Sequence, residues 1–172
     1  PMSIGTAATI RTGFALGQRS QAAVMTATRA ALCLGVCMAI CTAIGTILFR
    51  EQIAHIYNDN PEVLGLAAHL LLFAGTYQIT DALQVVGVGI LRGYNDTRAI
   101  LCFTLISYWC IALPLGYSLG RTYLWGEPMG PQGFWIAFLV GVSTAAVLML
   151  SRIRIMERSI TLHGFSRIRI SS

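Results

Sequence analysis

The feature that most constrains this sequence is a long apolar stretch, residues 62–92, with one acidic residue, Asp81, near its middle. A helix of about 20 apolar residues is long enough to cross a bilayer. A charged side chain at mid-span costs roughly 2.5–3.5 kcal/mol or more. Such residues usually face a protein interior or a wet cavity, where they handle ions, protons or charged substrates. Asp81 is therefore the first candidate functional residue.

The composition predicts an integral membrane protein. Of 172 residues, 55% are hydrophobic and only 11% are charged, whereas a soluble domain carries about 25% charged residues. The 12 basic residues are all arginine. In a membrane protein an arginine excess reports topology, and the basic patches interleaved with aromatics that bind nucleic acid are not seen. We therefore expect a lipid bilayer, and no nucleic acid, as the partner.

The apolar segments predict an all-α fold with four complete transmembrane helices, over about residues 30–49, 62–91, 99–119 and 133–150. Residues 1–17 are typical of the end of a fifth helix, and 18–29 of a loop or the start of the next helix. Because the chain starts in mid-pattern, we expect it to be a fragment that lacks upstream sequence. Pro114 lies inside the third span, where it removes a backbone hydrogen bond and predicts a kink.

The arginines divide unevenly between alternate loops, and this predicts the orientation. Ten lie on one side and two, Arg50 and Arg121, on the other. Short cytoplasmic loops carry the Lys/Arg excess, so the loop at residues 92–98 and the C-terminal tail are expected to be cytoplasmic. The turn signals around Asn58–Pro61 and Glu127–Pro131 then face outward.

The helical face around Asp81 carries further polar groups. Residues three and four apart share a face, which places Phe73, Tyr77 and Gln84 on the side of Asp81. Oxygen ligands suit a hard cation such as sodium, and they equally suit a proton relay. The alternative is a carboxylate hydrogen-bonded to a neighbouring helix for structural specificity.

Two aromatic residues, Tyr108 and Trp109, lie near the middle of the third span rather than at its ends. They are candidates to line a substrate pathway through cation–π contact with an organic cation. Packing between helices explains them equally well.

The cysteines and the spaced glycines favour structural roles. The five cysteines lie in apolar stretches, and we interpret them as packing residues rather than metal ligands. No Ser/His/Asp or Cys/His arrangement is present, so we expect no enzyme, no cofactor and no metal beyond a possible sodium ion. Gly89-x-x-x-Gly93 has the spacing that lets membrane helices approach closely.

Four stretches resemble the multidrug and toxic compound extrusion (MATE) family, and within it the bacterial NorM/MdtK-type efflux pumps. They are PMSIGTAATIRTGFALGQ, REQIAHIYNDNPEVLGLAAHLL, YQITDALQVVGVGILRGYNDTRAI and EPMGPQGFWIAF. The resemblance runs over residues 1–158, and residues 159–172 are expected to be a cytoplasmic tail. It implies two six-helix lobes, of which this chain is the later part of the second. The missing partners are then the N-terminal lobe and helices seven and eight, of which only the end of helix eight is present.

The resemblance also implies the activity. The family exports cationic drugs in exchange for sodium or protons, from the bacterial inner membrane in its NorM-like members. Tyr77 and Asp81 match the tyrosine and aspartate that bind the coupling cation on helix ten of these members, while the partner acid on helix seven lies outside this chain. The fragment alone is therefore expected to be inactive.

Two other functions are compatible with the sequence. The wider superfamily includes flippases of lipid-linked precursors, which favour a basic cavity for phosphate groups. The spans here contain one internal acid, Asp81, and no internal arginine, which favours a cationic cargo. A membrane scaffold without transport activity is the other alternative.

Overall fold

The computed structural model describes residues 1–49, 52–53, 61–121 and 131–167, and for 61–73, 76, 121, 131, 166 and 167 the backbone alone. All regular structure in these ranges is helical. The elements are α1 Met2–Gly17, α2 Gln21–Leu48, α3 Pro61–Gly93, α4 Thr97–Leu105, a π-helix Ile106–Ala112, α5 Leu113–Arg121, α6 Pro131–His163 and a short 3₁₀ turn Gly164–Arg167.

The all-α membrane fold predicted from the sequence is confirmed. Three helical segments in the described ranges are long and apolar enough to span a bilayer: α2, the continuous run through α4, the π-helix and α5, and α6. The predicted span at residues 62–91 lies within α3. The predicted outward turns fall on residues 58–60 and 127–130, which lie outside the described ranges.

Two helices extend further than the apolar segments alone indicate. Of the stretch 18–29, only residues 18–20 form a turn, and α2 begins at Gln21, where Ser20 Oγ accepts a hydrogen bond from the Ala23 amide at 3.4 Å. At the other end of the chain, α6 continues from the predicted span end at residue 150 to His163. Arginine is a good helix former, so a helix can continue beyond its apolar part.

Helix α3 lies at the centre of the bundle and packs against α1, α2 and α6. The α6 helix packs in turn against the π-helix and α5. Hydrogen bonds between side chains and neighbouring helices hold α3 in place: Thr9 Oγ1 donates to the Gly89 carbonyl at 2.8 Å, and Gln78 Nε2 donates to Thr46 Oγ1 at 3.0 Å. The helix that carries Asp81 is thus fixed from both sides.

Close contact between α1 and α3 depends on glycine. A Cβ atom at Gly89 would overlap the backbone of Gly5. A Cβ atom at Gly93 would lie 2.7 Å from Thr12 Cβ and 2.9 Å from the Thr9 carbonyl oxygen. The prediction that this pair of glycines permits close helix packing is therefore confirmed.

The exposed surface of the bundle is rich in large apolar side chains, as expected of a membrane protein. Large exposed side chains include Ile10, Leu34, Leu101, Leu113 and Val147. The five cysteines are also exposed and form no disulfide. No group of metal-ligating side chains occurs in the part of the chain that the structure describes.

The sequence predicts a kink at Pro114. The structure has a π-helix immediately before this proline. The Leu113 amide donates to the carbonyl of Tyr108, five residues earlier, so the wider π turn ends one residue ahead of the proline. Proline offers no N–H for the usual bond four residues back. A π turn changes the rotational phase of the helix, and such turns occur frequently at functional sites.

Replacing Gly89 with alanine should destabilise the bundle, because its methyl group would force α1 away from α3. Overpacking of this kind costs about 1–3 kcal/mol. We expect a lower thermal unfolding temperature for full-length protein in detergent. Gly45→Ala is the matched control, since nothing lies within 4 Å of a Cβ atom there. An equal change in both variants would contradict the packing role of Gly89.

Candidate cation-binding site

Asp81 is half-buried on α3, and its carboxylate accepts a hydrogen bond from the same helix. The Tyr77 hydroxyl donates to Asp81 Oδ1 at 3.1 Å. The two residues are one turn apart, which is the spacing that brings helical side chains together. The structure therefore joins the two residues that the sequence predicts as the cation-binding pair.

The hydrogen bond to Asp81 comes from a neutral group. Among the described side chains, no arginine or histidine lies within ion-pair distance of this carboxylate. A permanently paired carboxylate has its charge already neutralised, whereas a phenol leaves the full charge and further lone pairs free. Asp81 can consequently accept a metal cation or a proton.

Three aromatic rings from three helical elements meet next to Asp81. The ring of Tyr77 stacks on Phe138 of α6, with 5.5 Å between centroids and 25° between planes. The ring of Tyr108, on the π-helix, lies 6.1 Å from that of Phe138 at a 41° tilt. Offset and tilted pairs at these distances are attractive. Phe138 thus joins the two tyrosines into one cluster.

Polar atoms extend the site along α3. The Tyr108 hydroxyl donates to Gln84 Oε1 at 3.0 Å, across the gap between α3 and the π-helix. Gln84 lies one turn after Asp81 on the same side of α3. The Asp81 carboxylate, the Gln84 amide oxygen and the two phenol oxygens therefore lie along one side of α3. Such neutral and anionic oxygens are the ligands that hard cations take.

A glycine on α6 allows the π-helix to come close enough to complete this cluster. A Cβ atom at Gly141 would lie 2.6 Å from Ala112 Cβ and 3.2 Å from the Ser107 carbonyl oxygen. Ser107 itself is fully buried in this contact. The close approach brings Tyr108 within reach of both Gln84 and Phe138.

The two aromatic residues predicted to act together are separated. Tyr108 belongs to the cluster, whereas Trp109 is 68% exposed. Consecutive residues of a helical segment point in different directions around its axis, so neighbours in sequence seldom share a face. Phe73 lies four residues before Tyr77 on α3, and its side chain is outside the described part of the structure.

Sequence reasoning missed Phe138, which lies in the segment QGFWIAF among other apolar residues. Nothing in that segment distinguishes Phe138 from its neighbours Phe134 and Trp135, since all three side chains are exposed. The contact with Tyr77 joins residues 61 positions apart in the sequence. Only the packing of α6 against α3 identifies it.

A groove of about 840 Å³ lies between α1 and α2, away from Asp81. Its lining is mostly alanine, with Arg11 and Gln18 among the few polar residues. The groove contains none of the residues around Asp81, so volume alone does not identify the site.

The sequence model of the family described as MatE matches residues 1–118. These residues include α1, α2, α3 and the π-helix, and therefore Tyr77, Asp81, Gln84 and Tyr108. Phe138 lies beyond the matched range.

Two solved structures resemble this fold. One is a crystal structure of the eukaryotic MATE transporter AtDTX14, with a TM-score of 0.81 and 22% identity over 98% of this chain. The other is an inward-facing multidrug resistance MATE family transporter of the MOP superfamily, with a TM-score of 0.78 and 18% identity over 91% of this chain. This chain spans only 37% and 36% of those two chains.

The bond between Tyr108 and Gln84 should appear as an energetic coupling in a double-mutant cycle. Hydrogen bonds between membrane helices contribute about 0.6 kcal/mol on average and up to about 1.7. We expect a coupling in this range between Tyr108→Phe and Gln84→Leu, measured as free energies of unfolding of the full-length protein in mixed micelles. Tyr117→Phe, at an exposed tyrosine on α5, should be additive with Gln84→Leu. Additivity of both pairs would show that the bond is absent.

Proposed function

Because this chain belongs to the MatE family of membrane transporters, we propose that it carries the coupling-cation site of a multidrug efflux antiporter. In this proposal the full-length protein exports organic cations in exchange for sodium or protons. The chain provides the later part of one lobe, and the rest of the transporter provides the other lobe and the remaining helices. The arginine-bearing ends of the helices lie at the cytoplasmic face of a bacterial inner membrane.

The observation that carries the proposal is the carboxylate of Asp81, which is half-buried in a membrane helix and hydrogen-bonded only by a neutral phenol among the described residues. Keeping such a charge inside a bilayer is costly unless it is used or neutralised. No described residue neutralises it, and the oxygens of Tyr77 and Gln84 supply further ligands for a cation.

The proposed mechanism is competition between cations at one carboxylate. A sodium ion or a proton neutralises Asp81, and the neutral site then no longer attracts a positively charged drug. The aromatic rings of Tyr77, Tyr108 and Phe138 offer faces to which an organic cation binds through its charge. Alternating access of the two lobes exposes the site to each side of the membrane in turn.

The same residues argue against the lipid-precursor flippase. A phosphate group of such a precursor needs arginine or lysine, or a row of backbone amides, in the cavity. The described surroundings of Asp81 contain aromatic rings, an amide and a carboxylate instead. A scaffold without transport activity is distinguished by the transport measurements that follow.

Asp81→Asn should abolish coupling, because asparagine has nearly the same shape but no charge and does not take up a proton. The test is efflux of a fluorescent organic cation by the full-length transporter in liposomes under an imposed sodium or pH gradient. We expect gradient-driven transport to fall by at least about tenfold, a change worth about 1.4 kcal/mol. Asp81→Glu should keep part of the activity. Undiminished coupled efflux by the asparagine variant would overturn the proposal.

Tyr77→Phe should weaken the apparent affinity for the coupling cation while leaving the fold intact. The phenylalanine ring can still stack on Phe138, but the hydroxyl next to Asp81 is lost. Hydrogen bonds to charged groups are worth about 1.5–3 kcal/mol, so we expect a loss of about tenfold or more in the cation dependence of transport. Tyr117→Phe is the matched control on an exposed tyrosine. An unchanged cation dependence in Tyr77→Phe would remove this residue from the site.

A further inference from the structure

The last part of α6 packs against α2 at the arginine-bearing end of the bundle, beyond the predicted membrane span. Ile153 and Ile160 are buried there, with 1% and 2% exposed, and Gln21 Nε2 of α2 donates to Thr161 Oγ1 at 2.8 Å. Glu157 lies four residues after Ile153 and three before Ile160, and residues at these intervals share a helical face. An acidic residue therefore lies on the packed face of this helix.

Two polar atoms are enclosed in this contact without a hydrogen-bond partner. They are Glu157 Oε1 and the hydroxyl oxygen of Tyr94, a residue of the loop 94–96 between α3 and α4. Tyr94 is only 3% exposed, and the charge of Glu157 acts on it. Because the described helices already enclose both atoms, residues elsewhere in a longer chain do not reach them in this conformation. The two atoms are therefore partners for each other.

Thr28 of α2 also faces the Tyr94 hydroxyl. Thr28 is buried, and its own hydroxyl donates to the Val24 carbonyl at 3.0 Å within α2. A protonated carboxyl group has an O–H to donate, whereas an ionised one only accepts. With its proton, Glu157 can donate to Tyr94, and Tyr94 in turn to Thr28. The chain of hydrogen bonds then runs from α6 through the loop to the backbone of α2.

The charged groups that face Glu157 in the described part of the chain are Arg29 of α2 and Arg154 of α6. Burial raises the pKa of the Glu157 carboxyl group, although both arginines act in the opposite direction. The arginines are exposed, so water and salt screen their charges. Burial, and after it the charge of Glu157, raises the pKa of Tyr94 to about 12. Of these groups, Glu157 is the one whose protonation changes as pH rises above the ordinary carboxyl range.

We propose that Glu157, Tyr94 and Thr28 form a proton-controlled latch that fastens the end of α6 to α2 and to the loop between α3 and α4. The latch is closed when the protonated carboxyl group donates to Tyr94. Loss of the proton leaves a negative charge among buried groups. The carboxylate then turns outward into the adjacent cleft of about 260 Å³, where water, Arg29 and Arg154 stabilise its charge. The end of α6 is loosened as a result.

The latch acts separately from Asp81, so it stands or falls independently of the proposed coupling site. A carboxyl group whose pKa is higher in the closed form than in the open form stabilises the closed form at low pH. This stabilisation is fully present below the ordinary pKa of glutamic acid and is lost as pH rises through the raised pKa of Glu157. In the orientation that we propose, this end faces the cytoplasm, so alkaline cytoplasmic pH opens the latch.

The test is hydrogen–deuterium exchange with mass spectrometry on the full-length transporter in detergent, between about pH 5 and about pH 8. After correction for the intrinsic exchange rate, the amides of residues 151–163 should exchange faster as pH rises. Glutamine at position 157 stays neutral, and its amide can donate to Tyr94 at every pH. Glu157→Gln should therefore remove the pH dependence and slow exchange at the alkaline end by about tenfold, which corresponds to one pH unit between closed and open forms. Wild-type exchange that does not depend on pH, or an equal dependence in Glu157→Gln, would overturn the proposal.

Asp96→Asn is the matched control, because it is also an acid-to-amide change at this end of the bundle. Asp96 Oδ2 accepts a hydrogen bond from Arg152 Nε of α6 at 2.8 Å. Its replacement should speed exchange in residues 151–163 at every pH and leave the pH dependence in place. Loss of the pH dependence in this variant would assign the effect to the ion pair instead of the latch.

Tyr94→Phe tests the chain of hydrogen bonds without changing any charge. It should speed exchange in residues 151–163 at low pH, where the latch is closed, and have little effect at high pH, where the latch is already open. An equal effect at both ends of the pH range would show that the hydroxyl only contributes to packing, and would contradict the hydrogen bond between Glu157 and Tyr94.

Discussion

A carboxylate inside a bilayer has to obtain from protein groups the solvation that water would otherwise give, and the arrangement around Asp81 follows from this constraint. Its hydrogen bond comes from Tyr77, a neutral donor on the same helix. A neutral donor lowers the cost of the charge without cancelling it. Such an arrangement suits the coupling site that we propose.

Close helix contacts hold that carboxylate in place. Glycines at positions 89 and 93 let α1 approach the backbone of α3, and Gly141 lets the π-helix approach α6. The second contact brings Tyr108 next to Phe138, whose ring stacks on Tyr77 of α3. Membrane helices gain little from the hydrophobic effect when they associate, so packing of small residues and hydrogen bonds between helices supply the stability. The same interactions that assemble the bundle therefore also assemble the site.

The sequence predicted the parts of this structure that depend on local spacing. Apolar segments identified the membrane helices, and the four-residue interval between Tyr77 and Asp81 placed both on one face. Contacts between distant segments were not predictable: Tyr108 meets Gln84 24 residues away, whereas the adjacent Trp109 is exposed.

The proposed coupling requires that the Asp81 carboxylate exchange protons and cations with the solution. Chemical modification of this carboxyl group measures that exchange directly. Hydrophobic carbodiimides modify protonated carboxyl groups inside membranes and leave ionised or cation-bound ones unmodified. In the full-length transporter, mass spectrometry of the peptide containing Asp81 should show modification at low pH, and raised pH or added sodium should protect it. Absence of modification at every pH, or modification that neither pH nor sodium changes, would contradict the account.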